Sequence, residues 1–188
     1  MSETFMVFDM QKDKRDKNKV EKLVKYGEIV LKQFKQYHYF LKDFKSSLRD
    51  GHWGDSIYYF SFDPTKNDDK IIGFAHTRKN NDTKIIDLLT LITENKRETK
   101  TDCLAVPKYK NAGKNLMNKI ISDHPEVKSI YIPEVRDTAE GFYQKIGFKK
   151  VVPKIISYEL NMEKKEIPKV TKKSRRLSFS NHFSVGGR

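Results

Sequence analysis

Residues 110–117 read KNAGKNLM. One glycine, Gly113, sits among small or turn-tolerant neighbours just ahead of Leu116 and Met117, an apolar pair that suits the start of a helix. The first N–H groups of a helix have no intrahelical acceptor and lie at the positive end of its dipole, so such a start binds an anion without needing a cation. Side chains at the turn must be short if a phosphate is to reach the backbone. Ala112 and Gly113 are short, and Asn111 tolerates a positive φ better than most residues. Lys108, Lys110 and Lys114 add charge around the same point. These residue types at this spacing point to phosphate binding. The other reactive types offer less. The five histidines show no metal-ligand spacing, and His76, within GFAHT, reads as structural. No Ser/His/Asp or Cys/His arrangement is legible from residue order.

The elements that must position this turn follow from periodicity. TFMVFDM (residues 4–10) reads as an opening strand, and QKDKRDKNK as a loop or the solvated first turns of a helix. Val20, Leu23, Val24, Ile29, Val30 and Phe34 form a helical stripe that Gly27 weakens; Phe40, Leu41, Phe44 and Leu48 form another, with Gly51 suited to a left-handed cap. SIYYFSF, KIIGFAHTR and KIIDLLTLIT then read as a three-strand antiparallel meander with turns at DPTKNDD and KNNDT. After residues 110–117, Ile120 and Ile121 continue a helix that ends at DHP. VKSIYIPEV is a strand, TAEGFYQKIGF a short helix stopped at Gly147, and IISYELNM a final strand, with a further strand open in FKKVV. Two readings compete for the strand before the Gly113 turn: CLAV (residues 103–106), or KIIDLLTLIT followed by an insertion over residues 94–107. The order implies an α/β (α+β) fold, a mixed, largely antiparallel sheet flanked by helices. Its β-turn-α unit crosses over into a parallel strand, and ligands in such sheets bind at the carboxyl ends of strands where the order switches.

Composition bounds the rest. The 188 residues suit one domain over residues 1–162, with a basic tail over 163–188 that carries eight Lys/Arg against two Glu. Mean hydropathy is −0.74 and no run of 18 apolar residues occurs, which excludes a spanning helix of the usual kind. Cys103 is the single thiol, so an intramolecular disulfide and a Cys-rich zinc site are excluded. An internal, reducing compartment follows as the expectation: the cytoplasm, with the nucleus open in a eukaryote. The net charge of +13 favours an anionic ligand or partner, and the tail is expected to make weak, nonspecific polyanion contacts. RRLS (residues 175–178) has the form of a kinase site that chance explains equally well in such a tail.

Two motifs resemble those of the GCN5-related N-acetyltransferase family, over residues 4–162. KYKNAGKNLM is similar to the family's acyl-CoA motif Q/R-x-x-G-x-G/A, with Lys108 in the Gln/Arg place, Asn111 in that of the first glycine and Gly113 in that of the second. AEGFYQKIGF matches A-x-x-x-Y-x-K-x-G-F at Ala139, Tyr143, Lys145, Gly147 and Phe148. The resemblance implies an acyl-CoA N-acyltransferase-like fold and direct transfer of an acetyl group from acetyl-CoA to an amine, with no metal. It implies a donor site at Leu104, Ala105, Val106, Lys108, Lys110, Asn111, Ala112, Gly113, Lys114 and Asn115. It also implies Tyr143 as the acid that protonates the departing thiolate; packing in the core is the other reading of Tyr143, and the two can coexist.

An amine must lose its proton before it attacks, because an ammonium of pKa ~10.4 is no nucleophile at neutral pH. Glu94, at the end of the third meander strand, is the candidate base, with Asp87 and Asp102 as further options. Direct transfer leaves Cys103 without a nucleophilic role. The acceptor is open among a protein lysine or N-terminus, a polyamine or another small amine. The alternative from another class is an inactive module of the same shape that works by binding, its tail contacting nucleic acid, membrane or an acidic protein.

Overall fold

The computed structural model describes residues 3–37, 39, 41–63, 70–80, 82–94, 109, 111–135, 137–152 and 155–162. Their order is β1 (Thr4–Asp9), α1 (Met10–Asp13), α2 (Lys17–Gln33), a 3₁₀ turn at Lys35–Tyr37, α3 (Lys42–Asp50), β2 (Ser56–Phe62), β3 (Ile71–Asn80) and β4 (Ile85–Thr93). There follow α4 (Ala112–Asp123), β5 (Ser129–Ile132), α5 (Asp137–Lys145), β6 (Lys149–Val152) and β7 (Ile155–Asn161). The strand open in FKKVV is β6. The charged stretch after β1 divides into two helix starts, because it holds two N-caps: Asp9 accepts the N–H of Gln11, and Asp16 that of Lys19. The CLAV segment and the basic tail lie outside the described residues.

Seven strands form one sheet in the order β1-β2-β3-β4-β5-β7-β6, antiparallel throughout except where β4 meets β5. SIYYFSF is buried along its whole length because both sheet faces are covered, so its side chains serve two cores in alternation. Tyr58, Phe60 and Phe62 join Leu23, Tyr26, Val30 and Phe44 of α2 and α3. Ile57 and Tyr59 join Leu116, Met117 and Ile120 of α4 and Tyr143 of α5. Gly27 has a packing role that periodicity does not reveal: a Cβ there would lie 2.5 Å from Leu48 Cδ1 and 3.1 Å from Phe44 Cζ, so it lets α3 close on α2. No helix among the described residues is long and apolar enough to cross a membrane.

The feature that shapes the site is a short contact. β4 pairs with β5 in only three places, Ile85 with Ser129, Ile86 with Ile130 and Asp87 with Tyr131. β4 then runs on to Thr93 beside β3, with Leu89 bulged out between the pairs His76–Thr90 and Thr77–Leu88. Among the described residues, the half of β4 from Leu88 to Thr93 therefore has a neighbour on its β3 side and none on its β5 side. β5 ends at Ile132, one residue past its last pair with β4, so β4 runs on beyond its parallel partner. Gly27→Leu is expected to overpack the α2–α3 contact and cost about 1–3 kcal/mol, read as a lower midpoint in chemical denaturation at unchanged m.

Candidate functional site

The first turn of α4 sits beside the tip of β4, where that strand runs beyond β5. Asn111, at its N-cap, takes φ 69° and ψ 5°, the left-handed region expected of it, and its side chain makes no capping bond. Asparagine thus takes a left-handed conformation that glycine adopts most readily and asparagine tolerates. The carbonyl of Asn111 accepts the N–H of Asn115 at 2.8 Å, and the N–H groups of Gly113 and Lys114 precede that first intrahelical bond. No acidic residue occupies the first turn, whereas Lys114 does. The turn has the polarity that an anion requires.

Gly113 corrects part of the sequence-based reason for a small residue. A Cβ at Gly113 would lie 3.1 Å from Phe142 Cζ and 3.8 Å from Thr93 Cγ2, so the space it leaves is taken by α5 and the tip of β4. That contact brings three predicted pieces together: the turn, the strand end before Glu94 and the helix of Tyr143. Asn115 is committed elsewhere, its Nδ2 donating to Glu3 Oε1 at 2.9 Å, and burial raises the pKa of that carboxyl while the Asn115 bond lowers it in part. Leu104, Ala105, Val106, Lys108 and Lys110 lie outside the described residues.

Tyr143 is 7% exposed and meets Phe142 and Phe148 edge-on, with ring centroids 5.0 and 5.5 Å away. Burial raises its pKa, which keeps the proton on the phenol. The hydroxyl has no hydrogen-bond partner among the described residues, so packing holds the ring and leaves its donor uncommitted. The residues after it form a helix stop. Phe148 N–H donates to Tyr143 O at 3.0 Å, Gly147 N–H donates to Gln144 O at 2.9 Å, and Gly147 takes φ 94°. This is a Schellman cap, and it is the physical reason for Gly-Phe at the end of the motif. A contact the sequence did not disclose ties the same helix to β7: Tyr158 Oη donates to Glu140 Oε1 at 2.6 Å, and Gln144 Nε2 donates to the same hydroxyl at 3.5 Å.

Glu94 extends the β3–β4 ladder through its N–H to Ile72 O at 2.9 Å, and its carboxylate lies 3.5 Å from Lys70 Nζ. Its side chain is 21% exposed, at the open end of β4. Asp87 is at the other end, in the paired part of the strand and bound to Arg78 at 3.3 Å, so position removes it as an option. Asp102 is outside the described residues. His76 is structural, as read: it is 3% exposed, lies 3.0 Å from Ser56 Oγ and stacks on Tyr58, and burial pushes its pKa down to about 3. No cluster of three metal-ligating side chains occurs among the described residues.

No family model and no curated protein matches the chain. Solved structures do. GCN5 of Tetrahymena is similar over 85% of this chain and 96% of its own, with a TM-score of 0.55 at 16% identity. The aminoglycoside 6′-N-acetyltransferase of Enterococcus faecium covers 84% and 97%, with 0.53 at 13%. YhhK of E. coli, solved bound to coenzyme A, covers 86% and 99%, with 0.51 at 14%. At these identities the likeness establishes the fold. This chain has the fold of the GNAT acetyltransferases, a seven-stranded mixed sheet flanked by helices.

His76 makes stability pH-dependent with a defined sign. Its folded pKa lies below the ordinary 6.5, so the unfolded chain takes the proton first. The contribution is whole above pH 6.5 and falls by about 1.4 kcal/mol per pH unit toward pH 3. Denaturation midpoints at pH 7 and pH 5 are expected to differ accordingly, and His76→Gln to flatten that slope.

Proposed function

We propose that the chain is an acyl-CoA-dependent N-acetyltransferase that passes an acetyl group directly to an amine. The observation that carries this reading is the meeting of the uncapped start of α4, the Tyr143 helix and the end of β4 that runs beyond β5. The residues fit the donor. A pyrophosphate needs N–H groups at a positive helix end with no carboxylate in the way, and the turn at Asn111, Gly113 and Lys114 offers that. The open edge of β4 offers backbone N–H and C=O groups to an extended pantetheine arm, in the manner of an added strand. The thioester would then lie beside the end of β4.

The chemistry asks little more of the protein. The amine nitrogen forms a bond to the thioester carbonyl carbon, the C–S bond breaks, and the sulfur leaves as a thiolate. Tyr143, held protonated by burial, gives the departing sulfur a hydrogen bond as its charge develops, and any proton it passes on is replaced from solvent. Glu94 takes the proton of the amine, directly or through a water, its carboxylate held in place by Lys70. Alignment of the two substrates there supplies much of the rate. Asn111 takes a left-handed conformation open to glycine as well, so its presence gives the inactive binding module no support.

The test measures thiol release from acetyl-CoA with a panel of amines comprising a polyamine, a lysine peptide and a peptide with a free N-terminus. With whichever amine supports turnover, Tyr143→Phe is expected to lower kcat about 100-fold, the lower end of general-acid effects, while KM for acetyl-CoA stays within about threefold. Unchanged kcat in that variant would remove Tyr143 from the mechanism. Absence of transfer to every amine, together with absence of acetyl-CoA binding, would contradict the reading as a whole.

A further inference from the structure

The two outer edges of the sheet are defended differently. β6, at one edge, is four residues long and carries Lys149 and Lys150, the short and charged kind of strand that resists pairing with another chain. β1, at the other, runs six residues as TFMVFD without Pro, Lys or Arg. Its register with β2 is unbroken from Thr4–Phe62 to Asp9–Ile57. Among the described residues β1 has a strand on its β2 side only. Phe5 and Val7 are half-buried on the face shared with α4 and α5, whereas Phe8 on the opposite face is already covered. An unguarded apolar edge of this kind invites a strand beside it, and its uncovered surface lies on the Phe5–Val7 side.

The chain's own tail has a segment that suits the edge. Beyond Met162, seven of the eight Lys/Arg fall within residues 164–176, and the charge then stops. Residues 177–185 read LSFSNHFSV, in which Leu177, Phe179, Phe183 and Val185 alternate with Ser178, Ser180, His182 and Ser184. That alternation is the period of a strand with one apolar face, and Gly186-Gly187 punctuates its end.

The connection is long enough and arrives from the right side. Asn161 faces Ser129, Ser129 faces Ile85, and Ile85 faces Asn80, so β7 finishes at the end of the sheet where β1 also finishes. Five strand steps separate β7 from β1, roughly 24 Å at the usual spacing. Residues 163–176 reach roughly 45–50 Å when extended. A strand that arrives there and turns back along β1 runs antiparallel to it, the commoner pairing.

We propose that residues 177–185 add an eighth strand to the sheet, antiparallel to β1, with Leu177, Phe179, Phe183 and Val185 beside Phe5 and Val7. The tail is then a basic link followed by an apolar strand. The assignment goes beyond the acyl-CoA reading and does not depend on it.

Amide hydrogen exchange of the full chain, read residue by residue by NMR, tests it. Alternate N–H groups of an antiparallel strand point to opposite neighbours, so β1 carries its own control: one set faces β2 and the other faces outward. The expected result is slowed exchange of the outward set in the unaltered chain. Phe179→Asp combined with Phe183→Asp is expected to speed that set about tenfold or more, with the set facing β2 unchanged as the sign that the fold is kept. Outward amides that exchange at equal rates in the two proteins would overturn the assignment. So would slowed exchange that disappears on dilution in step with a dimer-to-monomer change in sedimentation, which would give the edge to a second copy of the chain.

Discussion

Three residue pairs join β4 to β5, and the rest of the structure arranges itself around the point where that pairing stops. A parallel pair needs a crossover, and here the crossover is α4, buried through Leu116, Met117 and Ile120 against the sheet. Because β5 pairs with β4 only at Ile85–Asp87, the helix start falls beside the stretch of β4 that runs beyond it. Among the described residues, β4 beyond Asp87 has no strand on its β5 side, and a helix start leaves N–H groups at one end of α4, so both can take a partner. A ligand that is a phosphate at one end and an amide-bearing chain along its length suits both at once. The acyl-CoA reading rests on that coincidence of backbone groups, more than on any single side chain.

The cores on either side of the sheet make this arrangement rigid. On one face, aromatic residues of β2 and β3 pack with α2 and α3, where Gly27 permits a close approach. On the other, α4 and α5 touch at Gly113 and Phe142, and Tyr143 is packed between Phe142 and Phe148. A donor hydroxyl fixed by packing, without a competing hydrogen bond, is preorganised for a charge that develops only during reaction. Its ring serves the core and the proposed acid role falls on its oxygen, so the two readings of Tyr143 concern different atoms of one side chain.

What was legible in the sequence was local. Asn111 carried its left-handed conformation in its residue type, and Gly147-Phe148 carried a helix stop whose two bonds span six residues. The alternating and helical periods of the strands and helices were equally readable, because each is a property of a short window. What was not legible depended on partners far along the chain. The reason for a glycine at position 113 is Phe142, and the reason at 27 is Leu48. Asn115 reads as part of a ligand turn until Glu3, 112 residues away, is found holding its amide. Tyr158 and Glu140 carry no common pattern and meet only because β7 lies next to β5 in the sheet. Asp87 and Glu94 read alike as strand carboxylates, and only the register with β5 shows that one lies where β4 is paired with β5 and the other beyond that pairing.

Amide hydrogen exchange with and without coenzyme A tests the central claim most directly, because it reads backbone groups rather than side-chain roles. The expected result is slowed exchange at Gly113 and Lys114 and along residues 88–93 of β4, with the paired residues 85–87 unaffected. Exchange unchanged at the α4 start and along that edge in saturating coenzyme A, or protection confined to another face of the sheet, would contradict it.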